Sequence, residues 1–476
     1  MEKATLSMPW QAAAPGLGRR DRPEPAALEL HYPSVSRLTY FLIIGLAALG
    51  ALWAAALWVT RPAAPDVSAA SNGVSMAVGE GGGGPASIVD YAALDARIQR
   101  LMADPAMVGL AVAVVENGRI RFIKGYGETL DGSGEPVSTS TVFRWASLSK
   151  GVAGDMVALL AHDGSLALSD PVSRWASSLR LPGGNEARTT VADLLSHQTG
   201  LFGHAQDAKL EDGLDPRWLR STLATLNNIC SPGTCHAYQN VAFDAAAEMV
   251  ERVTGRPYSE VVTERLFAPL GMRRASFGLA ALTSAQSWAR PHRGGDTPRT
   301  FQVVEPYYRV PAAGGVNGSI EDLASWLIAQ TGAAPAVLPP EVLRAVQSPR
   351  VATPGEIRRR RNYAERTSRA AYGLGWRVLD YAGRRVIGHH GGVAGYRSLI
   401  LFDPQSRSGV VALWNSSTSL PNGLEYEVMD RLYGLDFRDW MRLDTPRGAP
   451  PIGNEIVEVE EQSAGAVRAE RRAPSR

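Results

Sequence analysis

Ser147 and Lys150 stand three residues apart in the stretch Ser147-Leu148-Ser149-Lys150. On a helix that spacing puts both side chains on one face, one turn from each other. A serine hydroxyl is a poor nucleophile until a base takes its proton. A lysine amine within hydrogen-bond reach can do so if desolvation and nearby positive charge lower its pKa. A helix N-terminus adds a partial positive field that favours negative charge developing at Ser147. Ser149 has no such partner on its own face, so Ser147 is the candidate nucleophile. Lysine is rare here: Lys3, Lys124, Lys150 and Lys209 are the whole complement. The spacing alone would equally suit a capped helix with an exposed lysine, so the rest of the chain has to decide.

The elements that must position this pair can be read from period and punctuation. A β-type stretch, Val137 to Trp145, leads into a small-residue helix running from about Ser147 to Ala161. The body of that helix carries one acid, Asp155, so it belongs in the core, with Asp155 solvated or paired rather than catalytic. Upstream, Tyr91 to Met102 reads as an amphipathic helix. Val108 to Val115 and Arg119 to Lys124 read as strands joined at Asn117-Gly118. Thr189 to Leu201 reads as a short helix closed at Gly200, with His197 as a structural hydrogen-bond partner. Val241 to Val253 has a helical pattern, and Ser319 to Asp322 forms a capping box that opens another helix. Tyr372 to Leu379, Arg385 to Gly388, Tyr396 to Phe402 and Gly409 to Trp414 predict an antiparallel meander. Between the second and third runs lies His389-His390-Gly391-Gly392, whose glycines would let a ligand approach the backbone. Leu424 to Tyr433 predicts a last helix.

Length and composition set the limits. A chain of 476 residues can bury a large core. A formal net charge of +2 argues against general nucleic-acid binding, which needs a concentrated basic face. No H-x-H, H-E-x-x-H or C-x-x-C pair suggests a metal, no phosphate loop is present, and no cofactor is expected.

The ends differ from the middle. Residues 1–37 read as a disordered cytoplasmic tail. Leu38 to Val59 is 22 residues without a charge, about 33 Å as a helix, against a hydrocarbon core of roughly 30 Å. A transmembrane anchor is therefore assigned to 38–60. The excess of arginine before it places the N-terminus in the cytoplasm. A cleaved signal peptide is the other reading, disfavoured by the length of the apolar run. Residues 61–87 form a Gly/Pro/Ala-rich linker, 88–443 the globular domain and 444–476 a disordered tail.

Cys230 and Cys235 flank Ser231-Pro232-Gly233-Thr234, a turn that can bring them together. Facing an oxidising compartment they are expected to pair, contributing roughly 2 kcal/mol. Two free buried thiols are the alternative. Arg358, Arg359, Arg360 and Arg361 lie in a basic insert, Glu356 to Arg369, expected to be a solvated loop. The other reading of that run is a contact for cell-wall polymer or lipid headgroups.

Three elements then fall in order: Ser147-x-x-Lys150, Tyr238-x-Asn240 and His389-x-Gly391. Together they resemble the penicillin-binding serine hydrolases, specifically the class C β-lactamase-related family, from about Ile88 to about Gly434. Phe143-Arg144-Trp145-Ala146, Leu194-Leu195-Ser196-His197 and Gly314-Gly315 resemble it too. The resemblance implies an α/β (α+β) fold: an antiparallel sheet flanked by helices, plus a mostly helical subdomain. It implies that Ser147 is acylated and that Lys150 and Tyr238 share the proton work. Asn240, His389 and Gly391 would bind substrate, and the N–H groups of Ser147 and Gly392 would form the oxyanion hole. His389 stands where β-lactamases carry lysine, which fits a peptidase or esterase better than efficient penicillin hydrolysis. The expected protein is a hydrolase anchored in a bacterial inner membrane, with its catalytic domain in the periplasm. It would act through an acyl-enzyme on a β-lactam, a D-amino-acid peptide or a small ester. A β-lactam-acylated sensor and a non-catalytic scaffold are the competing readings.

Overall fold

The computed structural model describes residues 87–359 and 363–444, all of them within one compact unit. The tail 1–37, the anchor 38–60, most of the linker 61–87 and nearly all of 444–476 lie outside the described residues. So do Arg360 and Arg361. No helix among the described residues is long and apolar enough to cross a membrane.

An eight-stranded sheet organises the unit. Its strands are β1 (Gly109–Glu116), β2 (Arg119–Gly127), β3 (Val351–Ala352), β4 (Thr367–Tyr372), β5 (Arg377–Tyr381), β6 (Arg384–Val393), β7 (Tyr396–Asp403) and β8 (Ser408–Trp414). They lie in the order β2-β1-β8-β7-β6-β5-β4-β3, and every pairing is antiparallel. β1 and β8 are apolar at nearly every position because both faces of the sheet are covered. On one face lie α1 (Tyr91–Met102) and the last helix, Leu424–Tyr433, with Leu110, Val112, Leu399 and Ala412 in their core. On the other face lies the helical part, with Ala111, Ala113, Ile400 and Val411 in its core.

The centre of the helical part is α2 (Ser149–His162). Its small residues allow close approach. A Cβ on Gly151 would fall 2.7 Å from the Trp326 ring, and one on Gly154 would fall 2.2 Å from the Leu374 carbonyl oxygen. Asp155, buried in the same helix, accepts from Trp326 Nε1 at 2.9 Å and Gln330 Nε2 at 2.5 Å. It is paired and remote from the serine's own contacts.

Burial pushes the Asp155 carboxyl up to about 7. Its folded pKa then exceeds its unfolded value. Its contribution to stability is complete below the unfolded value and is lost as pH rises towards 7. Asp155→Asn keeps an acceptor for both donors but cannot ionise. The melting temperature of this variant minus that of the parent should therefore rise between pH 4 and pH 7 and then level off. The upper bound on the difference is about 4 kcal/mol. A difference that stays flat across that range would show that Asp155 ionises as easily folded as unfolded.

Three expectations change. The run Tyr372 to Leu379 is not one strand. It breaks after β4 because Gly375, at φ 80°, turns the chain onto α2, where a Cβ would meet the Lys150 carbonyl oxygen at 2.2 Å. The basic insert is not a plain solvated loop: it contributes the helix Pro354–Arg359 and then β4. The Val137 to Trp145 stretch supplies only Phe143–Arg144 as strand, in a small three-stranded sheet with Val316–Gly318 and Ser276–Phe277. The helices Tyr91–Met102 and Leu424–Tyr433 and the Ser319 capping box stand where the sequence places them.

Candidate active site

Ser147 sits in a 3-10 turn, Ala146–Leu148, that leads directly into α2. Ala146 has φ 49°, a left-handed conformation that costs a β-carbon residue about 1–3 kcal/mol. Three contacts hold it there. Ser149 Oγ donates to the Ala146 carbonyl at 2.7 Å and accepts from Val316 N at 3.0 Å. Ser398 Oγ donates to the Trp145 carbonyl at 2.7 Å. Ser149, set aside as nucleophile, is thus part of the support that presents Ser147.

Lys150 Nζ donates to Ser147 Oγ at 3.2 Å, to Asn240 Oδ1 at 2.7 Å and to the Ala313 carbonyl at 2.9 Å. The amine is buried, while Ser147 keeps partial exposure. It lies 4.7 Å from the centroid of the Tyr238 ring. Alcohol, amine and phenol therefore converge from segments about ninety residues apart. Ala313 is held by the neighbouring Ala312 N–H, which donates to buried Asp244 at 3.0 Å. Asp244 is in turn paired with Arg220 at 2.8 Å.

The Tyr238 loop is braced by the segment the sequence marked around His197. Ala237 N donates to the His197 carbonyl at 3.0 Å and Gln239 N donates to His197 Nδ1 at 3.2 Å. The His197 ring centre lies 4.4 Å from that of Tyr238, the two planes tilted by 41°. Burial first, and then the charges of His236 and Lys150, hold the His197 pKa well below its ordinary value, so it acts as a neutral brace. Cys230 and Cys235 are joined in a disulfide. Their loop is tied to the same segment through Gly233 N to the Gln198 carbonyl and Ile229 N to the Gly200 carbonyl, both 2.8 Å.

β6 forms the opposite wall. Its pairing with β5 ends at Gly388, so the edge from His389 to Val393 is left open on that side and faces the serine turn. Gly391 has to be glycine here. A Cβ would lie 2.4 Å from the Trp145 carbonyl oxygen and 3.1 Å from Ser147 N. Between the walls is an open cleft of about 850 Å³. It is lined by Ser147, Tyr238, Gly391 and Gly392, and also by His204, His236, Arg358, Arg377, His390 and Arg397.

Two of the expected substrate contacts, His389 and Asn240, are buried. His389 does not line the cleft, being 2 % exposed. Its Nδ1 donates to the His390 carbonyl at 2.6 Å and its Nε2 accepts from the Tyr372 hydroxyl at 2.9 Å. Burial, then Arg377 and Lys150, hold its pKa well below the ordinary value. Strand alternation puts the His389 ring on the face that carries Tyr238 and the His390 ring on the other face, where His390 Nε2 meets buried Glu425 at 2.9 Å. Asn240 is bonded at both ends of its amide. One end of its amide serves Lys150, and the other donates to Asp207 Oδ2 at 2.7 Å.

Sequence reasoning missed His204, Asp207, Arg377 and Arg397. His204 and Asp207 stand three apart at the start of one short helix, while Arg377 and Arg397 come from β5 and β7. Arg358 reaches the cleft from the basic stretch, and Arg359 ends the same short helix. Among the described residues, no cluster of His, Cys, Asp and Glu is arranged to hold a metal ion.

The β-lactamase family model matches residues 94–432. An unguisins hydrolase of Aspergillus campestris is 27% identical over 341 residues, covering 68% of this chain and 62% of that protein. Esterase EstB of Burkholderia gladioli is 32% identical over 201 residues, covering 39% of this chain and 51% of the esterase. The alignments thus span about half to six-tenths of the length of these curated relatives. The octameric penicillin-binding protein homologue from Pyrococcus abyssi aligns over 74% of this chain and 79% of its own. Its TM-score is 0.66 at 23% identity, a likeness of fold.

Proposed function

This chain belongs to the β-lactamase family of serine hydrolases, and from that premise we propose that it hydrolyses a peptide amide or a small ester through an acyl-enzyme on Ser147. The observation that carries the proposal is the buried Lys150 amine, 3.2 Å from a partly exposed serine hydroxyl at the floor of an open cleft. In the proposed cycle, Ser147 Oγ attacks the substrate carbonyl and its proton passes to the Lys150–Tyr238 pair. The carbonyl oxygen, now negative, would be met by the N–H groups of Ser147 and Gly392. One such donor typically accounts for about 10²–10³ in rate. The Tyr238 hydroxyl then protonates the leaving group. The carbonyl–leaving-group bond breaks and an ester to Ser147 remains. Water attacks that ester, losing its proton to the same pair, and the serine is restored.

Inward-facing His389 leaves the third motif without a lysine-like cation aimed at substrate. This favours peptide or ester over penicillin turnover. The volume of the cleft and the arginines that line it suit an extended substrate with a carboxylate. The proposal places the catalytic unit outside the cytoplasm on the N-terminal anchor. The uncharged run Leu38 to Val59 and the paired cysteines support that placement.

One set of measurements tests this. The full-length chain and its Ser147→Ala variant are incubated with a fluorophosphonate or a penicillin and weighed. Both are then assayed with nitrocefin, a D-Ala-D-Ala peptide and p-nitrophenyl esters. The expected result is a single adduct on Ser147, with ester or peptide turnover exceeding that of nitrocefin. Unmodified protein would instead indicate a scaffold, and a stable adduct without turnover a sensor.

A further inference from the structure

Behind Lys150 runs a polar chain that ends in the cleft. Asn240 joins Lys150 to Asp207, and the same Asp207 oxygen, Oδ2, meets His204 Nδ1 at 2.8 Å. Asp207 is buried and begins the short helix Asp207–Glu211, while the His204 ring lines the cleft. His204 also donates its backbone N–H to the Tyr238 carbonyl at 2.7 Å. Both His204 (φ 59°) and Gln206 (φ 68°) are held in the left-handed region. Two such non-glycine residues in one loop mark a conformation that the surroundings impose.

We infer that His204 and Asp207 are positioning residues that set the proton affinity of Lys150 through the Asn240 amide. A carboxylate only accepts hydrogen bonds, so Asp207 obliges Asn240 to turn its NH₂ group towards it. The Asn240 oxygen must then face Lys150, where an acceptor favours the ammonium form. Asp207 thus holds positive charge on Lys150, and His204, donating to the same oxygen, moderates that hold from the cleft side.

Other charged and titratable groups face this chain. From the serine and Tyr238 side they are His197, His236, Tyr238, His389 and Arg377. From the Asp207 helix and its neighbours they are Lys209, Glu211 and Asp212, with Tyr307 bonded to Glu211. The same groups are present in every variant below, so the comparison is between chains that differ only at the pair.

The inference rests on the reading of Ser147 and Lys150 as nucleophile and base, and its test separates the two. The rate of fluorophosphonate labelling of Ser147 is followed from pH 5 to pH 10 in the full-length chain. Asp207→Asn keeps an acceptor for Asn240 but removes both the charge and, since an amide can also donate, the constraint on how Asn240 turns. It should lower the pH of half-maximal labelling by about one unit. His204→Ala leaves the carboxylate unmoderated and should raise it by about half a unit. The double variant should follow Asp207→Asn, because His204 acts only through Asp207. Midpoints that do not move, move together, or add in the double variant would overturn the inference while labelling continues. Absence of labelling in the parent chain would overturn the serine reading instead. Should Asp207→Asn fail to melt cooperatively, His204→Ala decides alone: an upward midpoint supports the inference, and an unmoved one removes it.

Discussion

Ser147→Ala should lower turnover of any substrate by about 10⁴-fold or more and abolish covalent labelling, with little change in melting temperature. The expected loss is large because the hydroxyl is the bond-forming atom, and neither of the two serines beside its turn is placed to replace it. Ser149 Oγ is committed to the Ala146 carbonyl and the Val316 N–H and is buried beneath the turn. Ser398 Oγ is likewise committed to the Trp145 carbonyl. Stability should hold because Ser147 is partly exposed and the contacts that pin the turn come from other side chains. Residual hydrolysis above that level would mean that water is activated directly in the cleft. Mass spectrometry and steady-state rates on parent and variant read the two outcomes.

Lys150→Met should be nearly as damaging, by about 10²–10⁴-fold in kcat/KM, and should also change stability. Methionine keeps most of the volume but removes the amine that bonds Ser147, Asn240 and Ala313. Two buried oxygens, Asn240 Oδ1 and the Ala313 carbonyl, then lose this donor. Each loss costs about 1–3 kcal/mol, partly offset because a buried charge is no longer desolvated. A fall in melting temperature is the net expectation. Lys150→Arg separates charge from proton transfer. Arginine stays protonated throughout the accessible pH range and cannot serve as a base. If Lys150 takes the serine proton, the arginine variant is as inactive as the methionine one. Recovery of activity with arginine would reduce the lysine to an electrostatic support and shift the base role to Tyr238.

Much of the fold could be read from the chain because it depends on local chemistry. The helices at Tyr91 and Leu424 follow from apolar period, and the Ser319 capping box from residue type at fixed offset. The meander was legible except where a turn was needed to meet another element. Gly375 lies inside a run of strand character, and only the packing of Leu374 and Gly375 against α2 explains its turn. The basic stretch misled because charge density alone does not distinguish a solvated loop from a helix that lends one arginine, Arg358, to the cleft.

By itself the sequence determined which groups could do chemistry: a serine and a lysine one helical turn apart, a tyrosine beside a short cysteine loop, and glycines that admit close backbone approach. Such pairings are written in residue type and spacing. Tertiary structure alone decided which of these groups face the substrate. A shift of one residue along a strand reverses the side a residue points to, so the His390 ring meets Glu425 on the last helix while His389 is buried beside Tyr238. It also decided that Asn240 faces inward, since its two partners, Lys150 and Asp207, come from two different helices that meet only in the folded helical part.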